Sequence, residues 1–449
     1  MKTKKLISIT LSLIMLLSAT IFTTPASATT FDSPVVELDV KSKDFVATTA
    51  TLPAYQNYLD RLAELKEFTG VAYLTKDGYV LSQIACGMQN TKENKEMTID
   101  TLFPLGSVSK QFCATAVLLL QEQGKLSVND KLSKYFPEYT IGKDITIHDL
   151  LSMRSGIRDH VNNDDDYIGH EDPFLEYKVS ATATNAENIQ AITQWLFTQK
   201  LKFTPGSAHS YSNANFLLLS IIVEQVSNMS YMDFIKQNIF IPLNMTNSGF
   251  YEEIYGSPDL AEPKLEEGEE PIEPYLKGLS QGAGDLVSNA KDMDKWLTAL
   301  SDCTILSEES YKAMSTNHGS NYGYGFYTDT KKGSVFHAGN IATYESFVLT
   351  FPQENLNVFV ITNDVYKMRD NNLPMSTFGQ GLANRVRTSS FGDIDDDGSI
   401  SVHDATAVQM HVAQLNILTD KELKRADTNA DSLVSVLDAT QIQRLLAKL

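Results

Sequence analysis

Ser107-Val-Ser-Lys110, Tyr211-Ser-Asn213 and His337-Ala-Gly339 bring a hydroxyl, an amine, a phenol, an amide and an imidazole into one chain. Together they hold the parts of an acyl-transfer site. A serine hydroxyl is a poor nucleophile until a base takes its proton. Ser107 and Lys110 stand three residues apart, which places them on one face of a helix. Ser107 follows the turn-like Pro104-Leu105-Gly106 and opens an apolar stretch through Phe112, Ala116, Val117 and Leu120 to Gly124. That pattern predicts a buried helix with a glycine stop. The same spacings recur in Ser288-Asn-Ala-Lys291 and Tyr55-Gln-Asn57, so spacing alone does not choose a site. Ser288 lies in Leu286-Val-Ser-Asn-Ala-Lys-Asp-Met293, where it reads as the cap of a surface helix continuing to Trp296 and Leu300.

The surroundings of the first set are more specific. Thr101-Leu-Phe-Pro-Leu-Gly precedes the nucleophile, Ile145-Thr-Ile-His-Asp-Leu-Leu-Ser-Met-Arg-Ser-Gly156 follows it, and Phe203-Thr-Pro-Gly-Ser leads to Tyr211. On these motifs residues 52–387 resemble the serine β-lactamase and penicillin-binding protein superfamily, in its class C-like esterase and peptidase branch. The related signature is Ser-x-x-Lys, Ser-Asp-Asn and Lys-Thr-Gly; here tyrosine opens the second motif and histidine the third. The resemblance implies that Lys110 and Tyr211 deprotonate Ser107, Tyr211 as a proton relay or as a phenolate whose pKa nearby Lys110 lowers. It implies that Asn213 orients Lys110 and a substrate carbonyl, and that the backbone N–H groups of Ser107 and Asn340 form an oxyanion hole. Gly339 would let an edge strand approach the ligand. His337, with a reference pKa near 6.5, would be mostly neutral at pH 7. Binding of a free carboxylate is then weaker than with the lysine of relatives, and Tyr211 or His337 would help water release the acyl group.

The elements that must position these groups are legible in outline. An amphipathic helix is predicted from Pro53 to Phe68, with Tyr58, Leu62 and Leu65 on one face. A hairpin joins Val71–Leu74 to Tyr79–Ile84 through Asp77-Gly78. A second antiparallel set spans Val335–Phe336, Tyr344–Phe351 and Leu356–Thr362, and a helix from Pro374 to Val386 closes the domain. The fold class is therefore α/β, a β-lactamase/transpeptidase-like sandwich in which both chain ends share one antiparallel sheet beside an all-helical region. Asn162–His170 is acidic, and Ser257–Pro274 holds four prolines and six glutamates; both read as surface loops, one of which could roof a cleft. His148, His160, His170, His209 and His318 lack zinc-like spacing and read as structural or surface residues.

The 449 residues, 42% of them apolar, suffice for two or three domains with sizeable cores. Lys2, Lys4 and Lys5 precede an apolar run from Leu6 to Ile21 and the Ala26-Ser27-Ala28 sequence. Residues 1–28 read as a secretory signal rather than a membrane anchor, and 29–50 as an exposed leader. Removing three lysines and no acid takes the formal charge from −19 to −22, which argues against nucleic acid as a partner. Cys86, Cys113 and Cys303 are too few and scattered for a disulfide framework or metal cluster; Cys113 reads as a core residue, and one disulfide stays open.

After a short linker at 388–390 the pattern changes. Asp393, Asp395, Asp397, Ser401 and Asp404 fall at positions 1, 3, 5, 9 and 12 of a calcium loop, with Gly398 at position 6. An echo 34 residues later offers Asp427, Asn429, Asp431, Ser435 and Asp438, with Ser432 in place of the glycine. An internal repeat is far less common by chance than one acidic turn. Residues 391–449 resemble a type I-like dockerin, an all-α module that binds Ca2+ structurally at two sites and plugs secreted enzymes into the cohesin domain of a scaffoldin. At the cohesin-reading positions this chain has Val402, His403, Val436 and Leu437, a more apolar surface than the hydroxyl type. An EF-hand sensor is the alternative, although neither repeat shows a convincing entering helix.

The reading is a secreted, cellulosome-associated serine hydrolase with a domain at 51–387, forming an acyl-enzyme on Ser107 without a catalytic cofactor. An esterase is favoured over a D-Ala-D-Ala carboxypeptidase, D-aminopeptidase or β-lactamase. A different class would be a non-turnover penicillin-binding or scaffold-attached binding protein.

Overall fold

The computed structural model describes residues 53–161, 179–180, 182–265, 278–429 and 431–447. The expected signal, the leader, residues 162–170 and residues 266–274 of the proline- and glutamate-rich stretch lie outside them. Helix α1 (Pro53–Glu64) comes first. It stops short of the expected Phe68 because Lys66 turns left-handed (φ 56°), and Leu65, expected on the buried face, is 47% exposed. Strands β1 (Gly70–Lys76) and β2 (Tyr79–Cys86) follow. Asp77 and Gly78 between them both take positive φ, as a type I′ hairpin turn requires. Short strands β3 (Met88–Asn90), β4 (Lys95–Glu96) and β5 (Phe103–Pro104) lead to helix α2 (Lys110–Glu122).

The helical middle includes α3 (Ile147–Leu151), α4 (Asn185–Thr198) and α5 (Asn213–Ser227). Strands β6 (Gly249–Phe250) and β7 (Leu286–Ser288) bracket the return to α6 (Ala290–Ser301). Strands β8 (Tyr327–Asp329), β9 (Ser334–Ile341), β10 (Tyr344–Phe351) and β11 (Leu356–Thr362) then precede α7 (Met375–Ser389).

The main sheet runs β2-β1-β11-β10-β9-β8. β1 pairs antiparallel with β11, Val71 opposite Ile361, so the two ends of the hydrolase segment meet in one sheet. Both β10 and β11 are buried along their whole length, which explains their continuous apolar runs in place of alternation. One face packs on α1 and α7 through Leu59, Leu62, Phe378 and Leu382. The other packs on the helical region through Val71, Tyr73, Val348 and Phe359. Ser288 is not a helix cap: it is a buried residue of β7, and Asn289 caps α6 by accepting from Asp292 N. The helix α6 itself is a surface helix with one buried face: Lys291 and Thr298 are exposed, while Trp296 is fully buried and stacks on Phe112 with centroids 3.8 Å apart.

Residues 388–390, expected as a linker, are the end of α7 and its cap, Ser390 at φ 48°. The C-terminal module contains α8 (Val402–Val412), α9 (Asp420–Ala426) and α10 (Val436–Leu446). The short α9 runs directly into the second loop, so that loop does have an entering helix. The module also shares an apolar core with the hydrolase segment. Tyr55, Leu59 and Phe347 belong to the same cluster as Ile394, Ile400, Val408, Ile442 and Leu445. Phe391 N donates to Tyr55 Oη at 2.8 Å, their rings meet edge-on at 5.3 Å, and Ala54 N donates to Thr428 O at 3.0 Å.

Candidate active site

The turn before Ser107 is wedged between two strands. Leu105 N donates to Leu286 O of β7 at 2.8 Å, and Leu286 N donates to Ser109 Oγ at 3.1 Å. Ser346 Oγ of β10 donates to Leu105 O at 2.8 Å. Gly106 is left-handed (φ 54°), and a Cβ there would lie 2.8 Å from Asn340 N, so only glycine brings the turn this close to β9. At Gly339 a Cβ would come within 1.9 Å of Leu105 O. The sequence reading gave Gly339 to the approach of a ligand; the structure assigns its missing side chain to the approach of the nucleophile turn. β8 pairs with Ser334, Val335 and Phe336 of β9 and stops there, leaving residues 337–341 without a β8 partner on that side.

Ser107 sits in a single 3-10 turn (Gly106–Ser109) and Lys110 opens α2. The hydroxyl is half-buried and the lysine fully enclosed. Lys110 Nζ lies 3.0 Å from Ser107 Oγ, 2.7 Å from Asn213 Oδ1 and 2.7 Å from Ala283 O. Burial pulls its pKa down to about 7, against the opposing influence of Asp159, Cys113 and Asp285. A neutral amine has two N–H bonds and one lone pair. Asn213 Oδ1 and Ala283 O use the donors, which aims the lone pair at the Ser107 proton. Asn213 is itself held, with Nδ2 donating to Asp159 Oδ1 at 3.2 Å and Oδ2 at 3.0 Å, so its oxygen must face Lys110. Sequence reasoning missed Asp159. Its one hint was its place three residues beyond Ser-Met-Arg-Ser-Gly156.

Tyr211 presents its ring 4.9 Å from Lys110 Nζ. Its hydroxyl is buried without a hydrogen-bond partner among the described residues. Burial raises its pKa well above the ordinary phenol value, and the Ser107 side chain offsets only part of that rise. The expected phenolate is therefore corrected: the group whose proton affinity falls to neutrality is Lys110, and Tyr211 stays a phenol. His337 is 2% exposed. Its Nδ1 lies 2.6 Å from Ala338 O, which makes Nδ1 the protonated nitrogen, and Nε2 lies 3.3 Å from Tyr322 Oη. Burial, together with the Lys110 charge, lowers its pKa to about 3. The imidazole is neutral, and with both nitrogens engaged it is not poised to activate water. Tyr322 and Tyr327, also missed, complete an aromatic wall, with ring centroids 6.0 and 5.6 Å from His337.

Of the remaining histidines, His148 and His318 meet edge-on with centroids 4.9 Å apart, outside the hydrogen-bond network of Ser107. His148 Nδ1 lies 2.7 Å from Tyr324 Oη, His318 stacks on Tyr324, His209 lies beside Tyr322, and His160 Nε2 donates to Leu279 O at 2.7 Å; His170 lies outside the described residues. Cys113 is a core residue, and all three cysteines are free thiols.

In the C-terminal module, carboxylate oxygens of Asp393, Asp395 and Asp397 all lie within 4.8 Å of one another. Asp393 Oδ1 and Asp395 Oδ1 both accept from Asp397 N at 3.2 Å. The nearby cations Lys421 and Arg425 pair instead with Asp396. Three converging carboxylates, none in an ion pair with a cation among the described residues, form an oxygen-only donor set that fits Ca2+. In the second loop Asp427 Oδ1 and Asn429 Oδ1 converge on Asp431 N, and Ser432 takes the left-handed turn (φ 69°) that glycine makes in the first. Ser401 and Ser435 are helix N-caps in reciprocal boxes with Asp404 and Asp438. Asp404 accepts from Ile394 N, Ser401 N and Ser401 Oγ, and Asp438 is used equivalently. These four brace loop to helix, and Asp404 and Asp438 stand close enough to Asp393 and Asp427 to add to the rise in pKa that burial gives each. Val402, His403, Val436 and Leu437 are all exposed, joined by Leu415, Ile417 and Leu433, which the sequence reading passed over.

Comparisons with known proteins agree with this fold. Residues 56–375 match the Beta-lactamase family model and residues 391–447 the Dockerin type I domain. The chain is 30% identical over 343 residues to "Putative penicillin-binding protein PbpX" of Bacillus subtilis (strain 168), covering 73% of this chain and 81% of that protein. The solved penicillin binding protein from Bacillus halodurans superposes with a TM-score of 0.60 at 25% identity, over 70% of this chain and 98% of that one. The D-amino acid amidase from Ochrobactrum anthropi SV3 superposes with a TM-score of 0.60 at 23% identity, over 75% and 98% of the two chains.

Proposed function

Because this chain belongs to the Beta-lactamase family of serine hydrolases and carries a type I dockerin, we propose that it is a secreted, scaffold-attached esterase working through an acyl-enzyme on Ser107. The observation that carries this is the Lys110 amine, held by two acceptors with its nitrogen 3.0 Å from the Ser107 oxygen. Ser107 attacks the acyl carbonyl as its O–H proton moves to Lys110. The N–H groups of Ser107 and Asn340 receive the oxyanion, and Gly106 brings those two backbones together. Lys110 passes the proton to the leaving oxygen directly or through the Tyr211 hydroxyl. Water then attacks the acyl-enzyme by the same route, with Lys110 again the base. His337 supports the tyrosine wall and takes no proton.

Ester preference rests on the third motif. A neutral, enclosed imidazole offers no fixed charge to a substrate carboxylate, and the half-buried rings of Tyr211 and Tyr327, backed by the fully buried Tyr322, favour an apolar acyl portion. The dockerin implies a cohesin partner, read through Val402, His403, Val436 and Leu437, and two structural Ca2+ ions. Asp393, Asp395, Asp397, Ser401 and Asp404 would hold the first, and Asp427, Asn429, Asp431, Ser435 and Asp438 the second. Residues 1–28 serve as the secretory signal; no helix among the described residues is long and apolar enough to cross a membrane.

The name of the Bacillus subtilis relative supports a second substrate class for the same Ser107 chemistry, β-lactams and D-amino-acid peptides. Side-by-side kcat/KM on short acyl esters, penicillins and D-Ala-D-Ala peptides decides between them. Esters should be favoured, and a tenfold preference for the peptide, about 1.4 kcal/mol in the transition state, would replace the esterase reading. Mass spectrometry with a slow acyl donor should place the adduct on Ser107, with none on Ser288.

A further inference from the structure

One buried acid has no part in this scheme. Asp285 follows Gly284, which packs against Gly106, and precedes Leu286, whose carbonyl holds Leu105 N. Its Oδ2 accepts from Gly282 N at 3.2 Å, while its Oδ1 is buried with no partner among the described residues. An unsatisfied carboxylate oxygen in a protein interior is costly and calls for a compensating role. The turn that Asp285 closes, Gly282 to Asp285, is the one that presents Ala283 O to Lys110 Nζ at 2.7 Å. Ala283 N and Gly284 N, both bonded to Ser280 O at 2.8 Å, stiffen the same turn.

We propose that Asp285 is a positioning residue for the acyl transfer: it holds the Ala283 carbonyl against Lys110 and supplies the negative charge that stabilises Lys110 while that amine carries the Ser107 proton. This rests on the reading of Ser107 and Lys110 as the acylating pair. When the Ser107 O–H bond breaks and an N–H bond forms on Lys110, an ammonium appears in a fully enclosed site. The titratable groups around it are Asp159 behind Asn213, Asp285, Cys113, His160, His337 and Tyr211. His337 and His160 are held neutral by burial, Tyr211 stays a phenol, and burial raises the Cys113 thiol. That leaves the two aspartates as balancing charge. Asp159 has the larger influence on Lys110 and is engaged by the Asn213 amide; Asp285 adds to it and keeps an oxygen with no partner among the described residues. Burial lifts the Asp285 pKa to about 7, with Glu252 adding to the rise and Lys110 opposing it. The ammonium therefore strengthens the very charge that stabilises it.

The test is the pH profile of kcat/KM for the full chain and its Asp285→Asn variant, on an uncharged ester. Asparagine keeps an acceptor for Gly282 N and removes the charge. The acid limb should move to lower pH by about half a unit or more, and the plateau should fall by up to about threefold per half unit, because a less basic amine is a weaker general base. An unmoved limb, with or without a lower melting temperature, would reduce Asp285 to a turn-former and overturn the inference. A measurement on folded Asp285 covers the case in which Asp285→Asn does not fold. 13C-carboxyl NMR should show Asp285 titrating higher in Lys110→Ala than in the wild-type chain, and identical titrations would also overturn it. Ser107→Ala separates the two readings. If it stays active the site assignment fails, whereas if it is inactive and Asp285→Asn leaves the limb in place, only the role of Asp285 falls.

Discussion

At the residue scale, Lys110 decides how the site responds to pH. A protonated amine has no lone pair for the Ser107 proton, so kcat/KM should fall about tenfold per unit as pH drops below the Lys110 pKa of about 7. Lys110→Arg should lose about a thousandfold in turnover without rescue at high pH, since a guanidinium stays charged throughout. Tyr211→Phe separates relay from base. It should cost about a hundredfold in kcat and leave the acid limb in place, because the titrating group is the amine; a limb that disappears with the hydroxyl would restore the phenolate. Ser107 and Lys110 were legible in the sequence because their meeting is local, one turn of helix. Asp159 was not, because it reaches the site across 54 residues through the Asn213 amide. A fold-level contact of that kind leaves no mark in spacing.

At the scale of elements, the site is a place where β9, β7 and the turn before α2 are pressed together, and glycines measure how closely. Gly339→Ala would put a methyl 1.9 Å from Leu105 O. The strand and the turn must then part, at a cost of about 1–3 kcal/mol, with a larger fall in acylation rate than stability alone explains. Urea unfolding and burst kinetics measured together check this. A variant that is destabilised yet acylates normally would show that the β9 contact supports the fold without aligning the nucleophile. The sheet was readable from the Asp77-Gly78 turn and the apolar runs of β10 and β11. What escaped were features fixed by packing. Ser288 reads as a cap until β7 is paired, and Asp420-Lys-Glu-Leu-Lys-Arg-Ala426 is too short and polar to announce an entering helix.

At the scale of the molecule, the dockerin is joined to the hydrolase by more than the chain. Thr428 and Asn429, inside the second loop, accept hydrogen bonds from Ala54 N and Asn57 Nδ2 of α1, and Tyr55 anchors Phe391. Ordering that loop with Ca2+ should therefore stabilise α1 and the sheet beneath it. Ca2+ at a hundred times its dissociation constant contributes about 2.7 kcal/mol to whatever unfolds with the loop. Chelation should abolish cohesin binding and lower the temperature at which Ser107 acylation is lost by several degrees, and Tyr55→Ala should uncouple the second effect from the first. An acylation midpoint indifferent to chelation would mean that the two parts melt separately. The short passage from α7, capped by Ser390, into the first loop has one more consequence. An enzyme on a slack leash sweeps a sphere around its anchor, whereas one whose last helix is also its stalk keeps its mouth on a single bearing. Any search across an insoluble surface must then come from the joints of whatever holds the stalk.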